Sequence, residues 1–175
     1  MKNLFLLTFL SILLTACSKD DDQNTTELPK ATQSGANTGG AIVDGKIWVA
    51  LIEPPIIGNG SSGTYYQSIN GKYQLQINLR GVEDRNGNFI VIKITSNQDI
   101  NVGDYVINDI EENKGIYSIA LKGYITNPNN TGVLSITKFD KENKIVSGKF
   151  SFKAQYQDSS VTITDGRFDK KYYLN

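Results

Sequence analysis

Histidine is absent from all 175 residues. That removes Ser-His-Asp and Cys-His catalysis, histidine general-base chemistry and nearly every zinc or copper site. Cysteine occurs once, at Cys17, so no intramolecular disulfide forms and stability has to come from a packed core. No apolar run approaches the roughly 20 residues that a membrane-spanning helix requires. The chain also lacks an excess of either charge, with 18 Lys+Arg against 18 Asp+Glu, whereas a nucleic-acid partner calls for a clustered basic face. No nucleic-acid partner and no cofactor are expected.

The amino-terminal residues have the three parts of a secretory signal: basic Lys2, an apolar run from Leu4 to Leu14, and small residues before a cleavage point. Leu14-Thr15-Ala16-Cys17 resembles the lipobox of bacterial lipoproteins. The resemblance implies removal of residues 1–16 and acylation of Cys17, which makes the bilayer a partner. A cysteine suits that role because its thiolate is a good nucleophile for accepting a lipid. One acyl chain holds a protein marginally, at about 0.8 kcal/mol per buried CH₂, while two or more anchor it stably. Ser18, Lys19, Asp20, Asp21 and Asp22 follow directly. They resemble the charged export signal that some Gram-negative lineages use to place lipoproteins on the outer face of the outer membrane. An anchor facing the periplasm is the alternative.

Residues 17–40 are rich in Asp, Asn, Thr, Ser, Gln and Gly, with Leu28 almost the only large apolar residue. Such a composition cannot repay the entropy of ordering, so a lipidated flexible linker is expected there. Fully extended, it reaches at most about 70 Å. Residues 41–175 are left for a single domain, long enough to bury roughly two-thirds of its unfolded surface.

From Ala41 onward the apolar pattern has period two. Tyr73, Leu75, Ile77 and Leu79 alternate with Lys72, Gln74, Gln76, Asn78 and Arg80, which describes a half-buried strand. Asp44-Gly45, Asn70-Gly71 and Asn86-Gly87 supply the positive φ angles of two-residue hairpins. Roughly ten strands are expected, among them one continuous strand from Gly115 to Tyr124. The expected fold is an all-β antiparallel sandwich, with a lipocalin-like barrel as the alternative. After Ile163 the alternation would turn Asp165, Arg167 and Asp169 inward and Phe168 outward. A bulge at Asp165-Gly166 restores Phe168 to the core.

Gly45-Lys46-Ile47-Trp48, Ser147-Gly148-Lys149-Phe150-Ser151-Phe152 and Ile163-Thr164-Asp165-Gly166-Arg167-Phe168-Asp169 together resemble a family of small bacterial lipoproteins of unknown function. The resemblance implies an all-β lipoprotein domain and carries no activity or catalytic residue.

Candidate chemistry is sparse. Asp84-Arg85-Asn86-Gly87-Asn88 begins like a calcium loop, but its sixth position is Phe89 and its twelfth Thr95, so it reads as a hairpin turn. Gly58-Asn59-Gly60-Ser61-Ser62-Gly63 lacks the Lys-Ser/Thr of a phosphate loop. Asp104, Asp109, Asp165, Asp169 and Glu53 are the acids available to a two-carboxylate glycan hydrolase. Trp48, Tyr65, Tyr66 and Tyr124, with Tyr156, are candidates for a surface that stacks on sugars or a partner protein. The leading expectation is a non-enzymatic, surface-tethered binding domain for an unidentified protein or glycan. The alternatives are a carrier of an apolar ligand in a barrel interior and the hydrolase.

Overall fold

The period-two stretches fold into strands throughout. The computed structural model describes residues 27–52, 63–82, 88–110 and 112–174. Twelve strands follow in chain order: β1 (Thr38–Val43), β2 (Lys46–Val49), β3 (Tyr65–Ile69), β4 (Lys72–Arg80), β5 (Phe89–Ser96), β6 (Gly103–Ile107), β7 (Lys114–Ile119), β8 (Lys122–Ile125), β9 (Gly132–Asp140), β10 (Ile145–Tyr156), β11 (Ser159–Lys171) and β12 (Tyr173–Leu174). Among the described residues no helix is long and apolar enough to cross a membrane.

The strands join into one open, mixed sheet in the order β12-β3-β4-β5-β7-β8-β10-β11-β1-β2, with β9 and β6 branching from β10. The all-β expectation holds, with the strands continuous in one open sheet that is not closed into a barrel. All pairings are antiparallel except β12 with β3. One half of the sheet, β3-β4-β5-β7-β8, meets the β6-β9-β10-β11-β1-β2 half at the pair Gln155↔Ile125 and again at the bridge Ala50↔Gly81, where Leu51 N donates to Arg80 O at 2.7 Å. The halves face each other across one core. Leu75, Ile77, Leu79, Ile90, Ile92 and Ile94 come from the first half, and Leu134, Ile136, Phe150, Phe152, Ile163 and Phe168 from the second. All twelve are buried, and burial of each aliphatic or aromatic side chain contributes about 1.5–3 kcal/mol before entropy is counted.

Turn chemistry explains two of the hairpins. Asp44 and Gly45 adopt φ of 46° and 79°, and Asn70 and Gly71 adopt 52° and 77°. Positive φ at both central residues matches the right-handed twist of the flanking strands. Asn86-Gly87 lies outside the described residues. The strand expected from Gly115 to Tyr124 is instead two, β7 and β8, turning at Ala120 and Leu121 with φ of 47° and 67°. No residue there announces a turn: the tip uses an alanine and a leucine in the left-handed region, and Leu121 stands 96% exposed.

The bulge in β11 forms as expected. The three residues Phe150 to Phe152 face the four residues Ile163 to Gly166, and the same offset recurs against β1 between Gly40 and Ile42. Asp165 takes up the extra residue at φ 52°, and Phe168 returns to the core. Gly166 is required beside it, because a Cβ there would stand 2.5 Å from the Phe150 ring.

The linker expected to run through Gly40 is shorter than its composition implied. Residues 28–37 form a strap laid against the sheet, and β1 already begins at Thr38. Leu28 and Pro29 lie over Gly40. The strap is fixed to one carboxylate, Asp169, which is 1% exposed. Asp169 Oδ2 accepts from Thr32 Oγ1 (2.6 Å), Ser34 N (3.0 Å), Ser34 Oγ (3.3 Å) and Ala36 N (3.1 Å). Its Oδ1 accepts from Gly35 N (2.8 Å) and Ser147 Oγ (2.8 Å). Three successive backbone N–H groups thus form a nest around a buried anion. Lys138 Nζ donates to Gln33 O at 3.0 Å, and Lys171 N donates to Asn37 Oδ1 at 2.9 Å. Composition misled here because the partner of these polar residues is a side chain more than 130 positions away.

Burial alone pushes the Asp169 carboxyl up, but donation from Thr32, Ala36, Ser147 and Gly35 outweighs it and holds the pKa at about 2. A depressed folded pKa gives stability that is present above the unfolded value near 4 and is lost as pH falls through about 2. Its size is about 2 kcal/mol. Acid titration of the unfolding midpoint should therefore drop between about pH 4 and pH 2 in the native chain and lose that component in Asp169→Asn. The same variant should lose about 2–4 kcal/mol at neutral pH, because donors built around an anion are left facing an amide. Replacing Ala120-Leu121 by Asn-Gly should have the opposite sign, adding about 1–3 kcal/mol in urea unfolding with an unchanged m-value.

Candidate functional site

The aromatic residues expected to form one surface are distributed between the core and separate faces. Trp48, at 7% exposure, lies on the core side of β2, and its Nε1 donates to Asn88 Oδ1 at 2.7 Å. Tyr66 is also buried, at 7% exposure. Its ring meets Phe139 edge-on at 5.1 Å and Tyr172 at 6.0 Å, while Phe139 and Tyr172 stack at 5.3 Å. Its hydroxyl donates to Asp99, which also pairs with Lys141. Burial, reinforced by the bond to Asp99, pushes the Tyr66 phenol above its ordinary value. Lys141, and after it Tyr66, holds the Asp99 carboxyl below its own.

Tyr65 occupies the opposite face of β3, as neighbouring strand residues must. Its hydroxyl donates to Gln76 Oε1 at 2.7 Å, beside Gln67 Nε2 donating to Gln74 Oε1 at 2.8 Å and Gln76 Nε2 donating to Asn78 Oδ1 at 3.0 Å. These amides spend much of their hydrogen-bonding capacity on one another. Tyr124 lies elsewhere, in a ladder with Tyr117 at 6.2 Å and Tyr156 at 5.9 Å. The four named candidates do not converge.

The described candidate acids have different surroundings, and Asp104 is exposed on β6. Asp169 is saturated by donors, and Asp165 is an exposed bulge residue. Asp109 pairs with Lys114 at 3.1 Å. Glu53, Asp84 and most of the glycine-rich stretch 58–63 lie outside the described residues, as do Cys17 and Ser18 to Asp22. No group of three or more acidic, cysteine or histidine side chains suited to a metal ion occurs among the described residues.

Two depressions open on the outer faces of the sheet. One of about 360 Å³ is lined by Lys72, Thr95, Ser96, Asn97 and Glu112. The other, of about 260 Å³, sits over the β11 bulge and is lined by Val133, Ser135, Lys149, Ser151, Asp165 and Arg167, among others. The second brings two cations and two hydroxyls from three strands to one spot. Its components were visible in the sequence as ordinary surface residues. Their grouping depends on strand order, which periodicity does not contain.

No curated protein and no solved structure matches the chain. Residues 61–170, from just before β3 to the end of β11, match the family described as a domain of unknown function, DUF6252. That span is more than half of the chain and includes the bulge, the outer-face depression and Asp169. The chain therefore belongs to the DUF6252 family of domains of unknown function.

Proposed function

We propose that this chain is a lipoprotein of the outer membrane, anchored through acylated Cys17, whose β domain acts as a non-enzymatic binding or interaction module, facing the cell exterior. The address comes from the lipobox-like Leu14-Thr15-Ala16-Cys17 and from Ser18-Lys19-Asp20-Asp21-Asp22. Among the described residues the interior is occupied by apolar side chains, and that is what favours a binding module. A carrier of an apolar ligand needs interior space of a few hundred Å³. Here Leu75, Ile77, Ile92, Leu134, Phe152 and Ile163 occupy the space between the two halves, and the depressions described above open outward. Recognition by such a domain falls to its outer faces. The saturated Asp169 has no spare lone pair for acid–base work, so the hydrolase reading gains no support from it.

The strap adds a mechanical reason. A tether that ends in a buried carboxylate transmits the pull of the membrane into β11 rather than into a frayed terminus. The domain then stands in a limited range of orientations at the bilayer, which raises its local concentration toward any ligand on that surface.

Fractionation checks the anchor: Cys17→Ala should move the chain from membranes to the soluble fraction, and its retention in membranes would exclude lipid attachment there. Surface proteolysis of intact cells checks the orientation. Replacing Lys19, Asp20, Asp21 and Asp22 by Ala should leave the chain membrane-bound and shielded from added protease, whereas unchanged digestion would remove their export role.

A further inference from the structure

We infer that the outer-face depression on β9, β10 and β11 binds a tetrahedral oxyanion, a phosphate or sulfate group carried by a sugar. The register creates the site. Ser135 on β9 stands opposite Lys149 on β10, and Lys149 stands opposite Arg167 on β11. Like charges at directly opposed positions of adjacent strands are destabilising. Among the described residues neither cation forms an ion pair with a carboxylate; Arg167 Nε donates only to the Asp165 carbonyl, at 3.4 Å. A sheet that sets two unpaired cations side by side provides for an anion between them.

The β11 bulge is what brings Arg167 there. Without the extra residue at Asp165, the alternation from Val161 and Ile163 would carry Arg167 to the core face. The bulge inverts the phase, returns Phe168 to the core and puts Arg167 beside Lys149. One backbone irregularity thus serves packing and recognition together. Ser151, two residues further along β10, adds a second hydroxyl on the same face as Ser135.

Ser135, Lys149 and Arg167 stand in a row across three adjacent strands about 4.8 Å apart, and Ser151 stands off that row, so the donors are spread in two directions. That suits a tetrahedral oxyanion better than a flat carboxylate, with the Arg167 fork and the Lys149 ammonium supplying charge-assisted bonds. The volume of about 260 Å³ leaves room beside the oxyanion for a sugar ring. Val133, 40% exposed, offers that ring an apolar flank, and the exposed carboxylate of Asp165 offers its hydroxyls an acceptor. A chain with balanced charge and only two cations here does not suit a polyanion such as nucleic acid.

The inference rests on the binding-module reading but not on the anchor. Its test is an NMR titration of the full chain in non-ionic detergent with glucose 6-phosphate, glucose 6-sulfate, glucose and phosphatidylglycerol vesicles. The phosphate and sulfate esters should shift the amides of Ser135, Lys149, Ser151 and Arg167, and glucose alone should not. Lys149→Gln and Arg167→Gln should each weaken binding at least about tenfold, and added salt should weaken it further. Neither variant should lower the thermal midpoint, because each relieves the like-charge pair; a merely structural role would lower it. Equal shifts with glucose, unchanged affinity in both variants, or binding of the vesicles without the sugar esters would overturn the site. Shifts confined to the Tyr65 face would overturn it while leaving a binding module standing, whereas ligand-induced shifts at Ile90 and Leu134 in the core would remove both.

Discussion

A single buried carboxylate ties this protein together. Asp169 collects six hydrogen bonds, five from the strap at residues 32–36 and one from Ser147 on β10. Each charge-assisted bond is stronger than a neutral one, and the low-dielectric setting strengthens the whole set further. The same setting makes any unpaired donor there costly. The result is an all-or-none fastening: either the strap lies on the sheet with every donor paired, or it lifts and leaves an anion under-solvated. Because Asp169 also belongs to β11, the longest strand, the fastening connects the amino-terminal segment to the strand that carries the bulge.

The division of labour between the faces follows. The inner face is spent on stability, since a chain with a single cysteine forms no intramolecular disulfide and relies on its core. Isoleucine and leucine from β4 and β5 meet phenylalanine and isoleucine from β10 and β11. Chemistry is confined to the outside. On one half Tyr65 and its neighbouring amides satisfy each other. On the other half, above the bulge, Lys149 and Arg167 do not. A surface that satisfies itself is scaffold, and one that leaves like charges adjacent is arranged for something else.

How much of this could be read from the residues depends on the range of the interaction that fixes each feature. Alternation at Lys72–Arg80 and the Asp-Gly and Asn-Gly pairs are local, and they gave β4 and two hairpins in register. The bulge was legible because Phe168 and Arg167 cannot both be satisfied without it. The β7–β8 turn was not legible, because Ala120 and Leu121 oppose their own backbone conformation and are held there by the pairing of Ile119 with Lys122. The strap was hidden because polar composition reports cost of ordering and says nothing about a distant acceptor. Trp48 and Tyr66 were taken for surface candidates because aromatic residues serve cores and interfaces alike; their burial was set by which face of β2 and β3 turned inward. Sheet connectivity depends on pairs between residues distant in sequence, among them Gln155↔Ile125 and Ala50↔Gly81, which no sequence pattern marks.

The central claim is that the segment at residues 32–36 is built into the fold through Asp169. Amide hydrogen exchange of the full chain at neutral pH tests it most directly. The backbone N–H groups of Gly35 and Ala36 are expected to exchange as slowly as those of β10 and β11, opening only with the sheet. Exchange of those two amides at the rate of an unstructured chain, while β10 and β11 stay protected, would contradict it.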